Sequence, residues 1–506
     1  MKSRVFRILS CAAFAVCLSF SGHAQEGNGS DDYGVSAREV VLADPVTLAL
    51  DADGITSLAP NLGKMSGVKP DVRNYMILWS KAQPGSSQVE WAVAAPADGV
   101  YGVTIGVNGV GMRLAVSSNG KKVESAVKEA EWHHLELGEI PLKAGENKVL
   151  LEIEAPEGKG NKGGNRFLLG PMELAQPAVR AAMLKEAVAA RVQPDWFKDA
   201  GYGLMFQWTN RATPPKGDIK EWEQKVNDFD MDGFVKLVED SGAAYVVWSI
   251  TWGNQYISAP IKSLDAIIAG RTTQRDLLGE MTERLHEKGV KVIFYYHYGY
   301  DCMHSVDKEW MEAAGGYEAD KTKLYTNLGK ILSEIGTRYG EKLDGWWFDG
   351  GERYLNCHFD GSSGAEGILS VPFKEYTAMV KTGNPQRMVA YNSWVRPRIT
   401  EYQDYYGGEG QKSFDPKKLT DGVFNSGRQK GLQAHGCFIL ERSWGHIEKN
   451  KTIPKPKFSL AKLTGFVKKA QENRYPLSIN LEMYEDGSVS PESYALLKAL
   501  KAAVRK

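Results

Sequence analysis

The sequence predicts an α/β protein: a (β/α)8, TIM-like barrel preceded by an antiparallel, jelly-roll-like β-sandwich. Two patterns carry this expectation. Beyond Pro194, eight apolar, strand-like runs alternate with amphipathic helical stretches, as a barrel of parallel strands requires. Between Val46 and Leu174, apolar residues recur at every second position with frequent turn signals, which marks short antiparallel strands. A length of 506 residues accommodates both units.

The elements follow in chain order. Residues 1–24 read as an export signal: Lys2, Arg4 and Arg7 precede the apolar run Ile8 to Phe20, and Gly22-His23-Ala24 supplies small residues for cleavage. That run is too short to span a bilayer, and no later run reaches the ~20 apolar residues a span needs. The expectation is an exported chain, periplasmic or secreted, with no membrane span. Residues 25–45 are polar and rich in Gly, Ser and Asp, a flexible tether.

Residues 46–176 form the expected sandwich. Tyr101, Val103, Ile105 and Val107 alternate with small or polar neighbours, Gly106 to Gly111 marks a turn, and Met112, Leu114 and Val116 resume the alternation. Gly106 to Gly111 joins two strands rather than a strand and a helix, so it is no phosphate loop. The stretch Leu142-Lys143-Ala144-Gly145-Glu146-Asn147 before an apolar strand resembles the jelly-roll carbohydrate-binding modules fused to glycosidases. Trp79, Trp91 and Trp132 are candidate sugar platforms, although a small sandwich also needs large core residues. A helical linker occupies 177–194.

Residues 195–506 carry the barrel pattern. Its strand-like runs are Gly203–Trp208, Tyr245–Ile250, Val290–Tyr296, Gly345–Asp349, Met388–Asn392, Tyr402–Tyr406, Gly436–Leu440 and Leu477–Leu481. In such a barrel the chemistry sits at the C-terminal ends of the strands. Asp349 ends one, in Leu343-Asp344-Gly345-Trp346-Trp347-Phe348-Asp349-Gly350-Gly351, and shares a strand face with Trp347. Spacing alone leaves two readings open: a reactive carboxylate, or a helix-capping Asp.

Bulk composition narrows the partner. Sixty-two basic residues balance 62 acidic ones, and loss of the signal shifts the net charge to −3, so nothing invites nucleic acid. Thirteen Trp and 22 Tyr suit partly apolar, flat ligands such as sugar rings. Asp228-Phe229-Asp230-Met231-Asp232-Gly233 with Glu239 spells an EF-hand loop. However, Phe234, Val235, Leu237 and Val238 continue as a helix face, so Asp230 or Asp232 reads as an N-cap and no metal is expected. Of the cysteines left after cleavage, Cys302 and Cys357 each follow a strand and form one candidate bridge, with three unpaired thiols, Cys437 included, as the alternative.

From Trp196 to about Tyr494 the chain resembles glycoside hydrolase family 29, the α-L-fucosidases. The similarity runs in order through Trp196 to Leu204, Glu221-Trp222, Phe229-Asp230, Ser241 to Val247, Arg275 to Leu278, Tyr295-Tyr296, Trp347-Phe348-Asp349-Gly350, Ser443-Trp444-Gly445-His446 and Leu477 to Asn480 with Asp486-Gly487. The expectation is a chain without the family's common C-terminal β-sandwich, with a sandwich in front instead. The resemblance implies retaining hydrolysis by two carboxylates about 5–5.5 Å apart, with no cofactor and a glycan as partner. Asp349 stands at the nucleophile. Glu409 is the candidate acid/base, with Glu401 and Glu441 as rivals. Candidate substrate-binding residues are Gln207, Trp208, Glu221, Trp222, Trp252, His297, Asn392 and Trp444, and Trp394 also falls near a strand end. The departures are equally specific. Phe206-Gln207-Trp208 replaces a first-strand His, and Thr251-Trp252-Gly253 replaces a His-His pair. This implies a changed sugar, with a catalytically inactive glycan-binding protein as the alternative.

Overall fold

The computed structural model describes residues 45, 47–73, 76–130, 132–157, 167–297, 300–301, 305–316, 322–349, 373–392, 400–427 and 429–505. The export signal, nearly all of the tether, Cys302, Cys357 and Trp394 lie outside the described residues. Cys437 is a buried free thiol.

The N-terminal region folds into two six-stranded sheets. The first places Gly85–Ala95 beside Gly145–Ala155, followed by Arg113–Ser118 and Lys121–Ala126. The second centres on Gly99–Asn108 and Phe167–Ala175, flanked by His133–Leu142 and Met76–Ala82. Period-two alternation explains their packing. Val89, Trp91 and Val93 of the first sheet and Tyr101, Val103 and Ile105 of the second belong to one buried cluster. Trp91 is a core residue whose indole N–H donates to the Ala59 carbonyl (2.9 Å), whereas Trp132 is partly exposed. The side chain of Trp79 lies outside the described residues. The Leu142–Asn147 turn is built by Asn147, whose amide accepts from Lys143 N (2.8 Å) and donates to Lys143 O (2.7 Å) and Gly145 O (2.8 Å).

Beyond the helix Pro177–Ala189, seven strands form one parallel sheet. They are β1 (Tyr202–Phe206), β2 (Tyr245–Ser249), β3 (Lys291–His297), β4 (Gly345–Asp349), β5 (Met388–Tyr391), β6 (Gly436–Ile439) and β7 (Leu477–Leu481), in the order β5-β4-β3-β2-β1-β7-β6. Both faces are buried, and the alternation of side chains sorts them. Met205, Tyr245, Val247, Ile293, Tyr295, Trp347, Met388, Ala390 and Cys437 share an inner cluster. Their strand neighbours Leu204, Phe206, Val246, Trp248, Phe294, Trp346 and Phe348 pack outward with the helices.

Seven of the eight expected runs are strands; Tyr402–Tyr406 is not. The segment 402–409 nevertheless bonds to both edge strands. Asp404 N donates to Val389 O (2.8 Å) on β5, and Cys437 N on β6 donates to Gly408 O (2.9 Å). Asp404 explains why no ladder forms. Its buried carboxylate takes the Val389 N–H (2.8 Å) and the Val192 N–H (2.8 Å) and pairs with Lys381 (2.8 Å), so a side chain fills the place of a neighbouring backbone. Gly408 then adopts φ +69°, and a Cβ there would sit 1.8 Å from His435 O, so only glycine fits.

Truncating Asp404 should therefore loosen this segment more than an ordinary surface change would. Asp404→Ala orphans two buried N–H groups and an ammonium, and urea unfolding should show a loss of about 3–5 kcal/mol, with a smaller loss for Asp404→Asn. A loss below about 1 kcal/mol would contradict this role.

Candidate active site

The site is assembled at the C-terminal ends of β3, β4 and β5 and on the segment that follows them. Asp349 closes β4 on the inner face, two residues after Trp347. Tyr295, on the same face of β3, donates its hydroxyl to Asp349 Oδ2 (2.6 Å). Asn392, one residue beyond β5, donates from Nδ2 to Asp349 Oδ1 (3.2 Å) and also to Glu409 Oε2 (2.7 Å). One nitrogen thus holds two carboxylates, whose nearest oxygens are separated by no more than about 6 Å.

The surrounding contacts fix that arrangement. Asn392 N donates to Phe348 O (2.7 Å), tying it to β4. Tyr295 stacks on Trp347 with ring centroids 5.1 Å apart, and the Trp347 indole N–H donates to Gly407 O (2.9 Å). The strand bearing Asp349 is thereby joined to the segment bearing Glu409. A Cβ on Gly407 would meet Asn392 Oδ1 at 2.7 Å, so a glycine lets the segment lie against the amide. Asn392 itself is only 3% exposed and stands between the carboxylates.

The remaining candidates divide into rim and core. His297 pairs in register with Asp349 and follows the inner-face parity of Tyr295; Thr251 Oγ1 accepts from its N–H and donates to its carbonyl (2.8 Å each). Trp252 belongs to the inner cluster, with the Arg211 guanidinium 5.1 Å from its ring centroid. Gly445 makes room for it, because a Cβ there would lie 2.9 Å from the Trp252 ring. Trp444 is partly exposed against the same cluster, and its carbonyl accepts from Asn480 Nδ2 (2.8 Å). Trp222 is partly exposed and packs against Trp208 and Tyr256 (5.5 and 6.4 Å between centroids), while Glu221 beside it is exposed.

Gln207 is buried, with its carbonyl oxygen taken by the Ser249 hydroxyl. Trp208 is a core residue, 1% exposed, packed on Phe229 and Trp248 and donating to Tyr484 O (3.1 Å). Its position departs from the expected sugar contact because it continues the outward parity of Leu204 and Phe206. Tyr295, absent from the expected site residues, is the addition; its inner-face parity was the available signal. Asp230 caps the helix Met231–Ser241 by accepting from Gly233 N (2.9 Å), while Asp228 pairs with Lys220 (2.8 Å) and Asp232 with Arg284 (2.6 Å).

Of the three acid/base candidates, Glu409 is tied to Asp349 through a shared donor. Glu401 lies at the start of the segment, its carbonyl accepting from Arg191 (3.1 Å). Glu441 is fully buried and accepts from the Ser493 hydroxyl and from Glu482 N (3.1 Å), at the first turn of the helix Pro491–Val504. Burial pushes its carboxyl up to about 8. A raised carboxyl stabilises the fold fully below the unfolded value, and that contribution is lost as pH rises through the folded one. Thermal melts should therefore show stability falling from about pH 4.5 to about pH 8, and Glu441→Gln should flatten that slope. An unchanged slope would exclude this protonated role.

The sequence profile described as alpha-L-fucosidase matches residues 223–501. Among solved structures, an α-L-fucosidase from Bacteroides thetaiotaomicron is 16% identical, with 62% of this chain and 74% of that one covered and a TM-score of 0.42. The α-L-fucosidase AlfC from Lactobacillus casei, in complex with its α-L-fucose product, is 17% identical, with coverage of 63% and 98% and a TM-score of 0.38. The endo-fucoidan hydrolase MfFcnA9 of glycoside hydrolase family 107 is 14% identical, with coverage of 60% and 62% and a TM-score of 0.46. No curated protein matches the chain. The profile spans more than half of the 506 residues, and the chain belongs to the α-L-fucosidase family.

Proposed function

We propose that the protein is an exported retaining glycosidase, periplasmic or secreted, that releases a terminal fucose-like sugar from glycans by double displacement. The observation that carries this reading is the single Asn392 nitrogen held by both Asp349 and Glu409. It keeps their nearest oxygens within about 6 Å, compatible with the ~5–5.5 Å of retaining pairs. In the first step an Asp349 oxygen attacks the anomeric carbon and Glu409 protonates the departing oxygen. In the second, Glu409 takes a proton from water, which attacks the anomeric carbon and frees Asp349. Tyr295 holds the Asp349 carboxylate in place through its hydroxyl.

On this reading the seven strands and the segment 402–409 together make the (β/α)8 barrel of the catalytic unit. The two N-terminal sheets make an accessory sandwich resembling a carbohydrate-binding module. The sugar is fucose-like rather than fucose itself, because the wall where the family places histidines is rebuilt. Gln207 is engaged by Ser249, Thr251 by the His297 backbone, and Trp252 fills the space. The same rebuilt wall is what favours the second reading, an inactive glycan-binding protein.

Incubation with aryl α-L-fucoside, α-galactoside and related glycosides separates the two. The enzyme reading expects turnover that Asp349→Ala abolishes and that Tyr295→Phe lowers about 10- to 100-fold, the worth of one hydrogen bond to a charged group. It also expects Glu409→Ala to keep partial activity on an activated aryl glycoside and to be accelerated by azide, which needs no proton removed. No turnover of any glycoside, with glycan binding unaffected by Asp349→Asn, would establish the inactive reading instead.

A further inference from the structure

A lysine-rich surface begins three residues beyond Glu409. The stretches 411–418 and 449–462 contain eight lysines, one acid (Asp415) and no arginine. Neutral overall composition gives no hint of this local excess. The two stretches meet at Phe458: the ammonium groups of Lys412 and Lys462 lie 5.9 and 5.4 Å from its ring centroid.

The surface is a fixed part of the fold. Lys457 N donates to Leu440 O (2.8 Å), Ile453 N donates to the Tyr484 hydroxyl (2.8 Å), and Asn450 Oδ1 accepts from Gly217 N (3.0 Å). Pro454 and Pro456 restrict the backbone around Lys455, which is exposed together with Lys451 and Lys457. Lys449 is neutralised by Asp218 at 3.0 Å. Among the described residues, Lys412, Lys451, Lys455 and Lys462 have no carboxylate within ion-pair distance. The lone acid, Asp415, accepts from Lys417 N (3.0 Å) as a cap. Gathering like charges around one ring costs repulsion, which an anionic partner offsets.

We propose that this surface binds the leaving-group side of the substrate and that this part is a sulfated polysaccharide. The location rests on the reading of Glu409 as the acid that protonates the departing oxygen, since Lys412 follows it by three residues. The charge chemistry rests on the lysines alone. A reader of planar carboxylates gains from the arginine fork, whereas several ammonium point charges suit a polyanion of permanently ionised sulfate esters held in no single orientation.

Affinity electrophoresis of the full chain in dextran sulfate, neutral dextran and polygalacturonate tests the surface without requiring turnover. The expected result is retardation by dextran sulfate above that by polygalacturonate, and none by dextran. The triple variant Lys412→Ala, Lys455→Ala, Lys462→Ala should bind dextran sulfate about tenfold more weakly. A charge-matched control, Lys121→Ala, Lys185→Ala, Lys330→Ala, should bind as the unaltered chain does. Equal losses in the two triple variants, no loss in the first, or a preference for polygalacturonate would overturn the proposal. Cleavage of a small aryl glycoside reports on Glu409 separately: a surface that binds while Glu409→Ala leaves turnover unchanged would remove the leaving-group assignment.

Discussion

The site depends on one amide nitrogen. Asn392 Nδ2 faces the carboxylates of Asp349 and Glu409 at 3.2 and 2.7 Å. Donation to both ties the two side chains together, and a hydrogen bond to a charged carboxylate contributes about 1.5–3 kcal/mol. Tyr295 adds a second donor to Asp349 (2.6 Å). The arrangement is held from behind by Gly407, whose missing side chain leaves space for the amide, and by Trp347, which bonds the Gly407 carbonyl.

That dependence extends to the fold. Glu409 stands on a segment that forms no regular strand, so its position relies on isolated contacts rather than on a ladder. The Asp404 carboxylate, bonded to Val192 N and Val389 N and paired with Lys381, anchors one end, and the Cys437 N–H to Gly408 O bond anchors the other. A buried carboxylate used this way stabilises little by itself, but it specifies one path for the chain. In the proposed mechanism the acid/base must approach both sugar and water, and a segment free of a strand's straightness can carry it there.

Much of this was legible in the sequence. Seven strands of the parallel sheet were readable as apolar runs, and Trp347 and Asp349 share the inner face as their spacing requires. The sixth run was not, because Tyr402 to Tyr406 has a strand's composition while its bonding is taken over by the Asp404 side chain, which no periodicity records. Trp208 and Tyr295 show parity cutting both ways. Trp208 keeps step with Leu204 and Phe206 and goes to the outer core, and Tyr295 keeps step with Ile293 and reaches Asp349. Glu409 could be singled out only through its resemblance to a family pattern, since the contact that ties it to Asp349 runs through a residue 17 positions away.

The central claim is that Asp349 and Glu409 act as a retaining pair, with Asp349 rather than water attacking the sugar. Proton NMR of the first-formed sugar, recorded before mutarotation on whichever aryl glycoside the protein cleaves, tests this most directly. Retention of the anomeric configuration is the predicted result. Inversion would mean that water attacks the substrate directly, and would contradict the account.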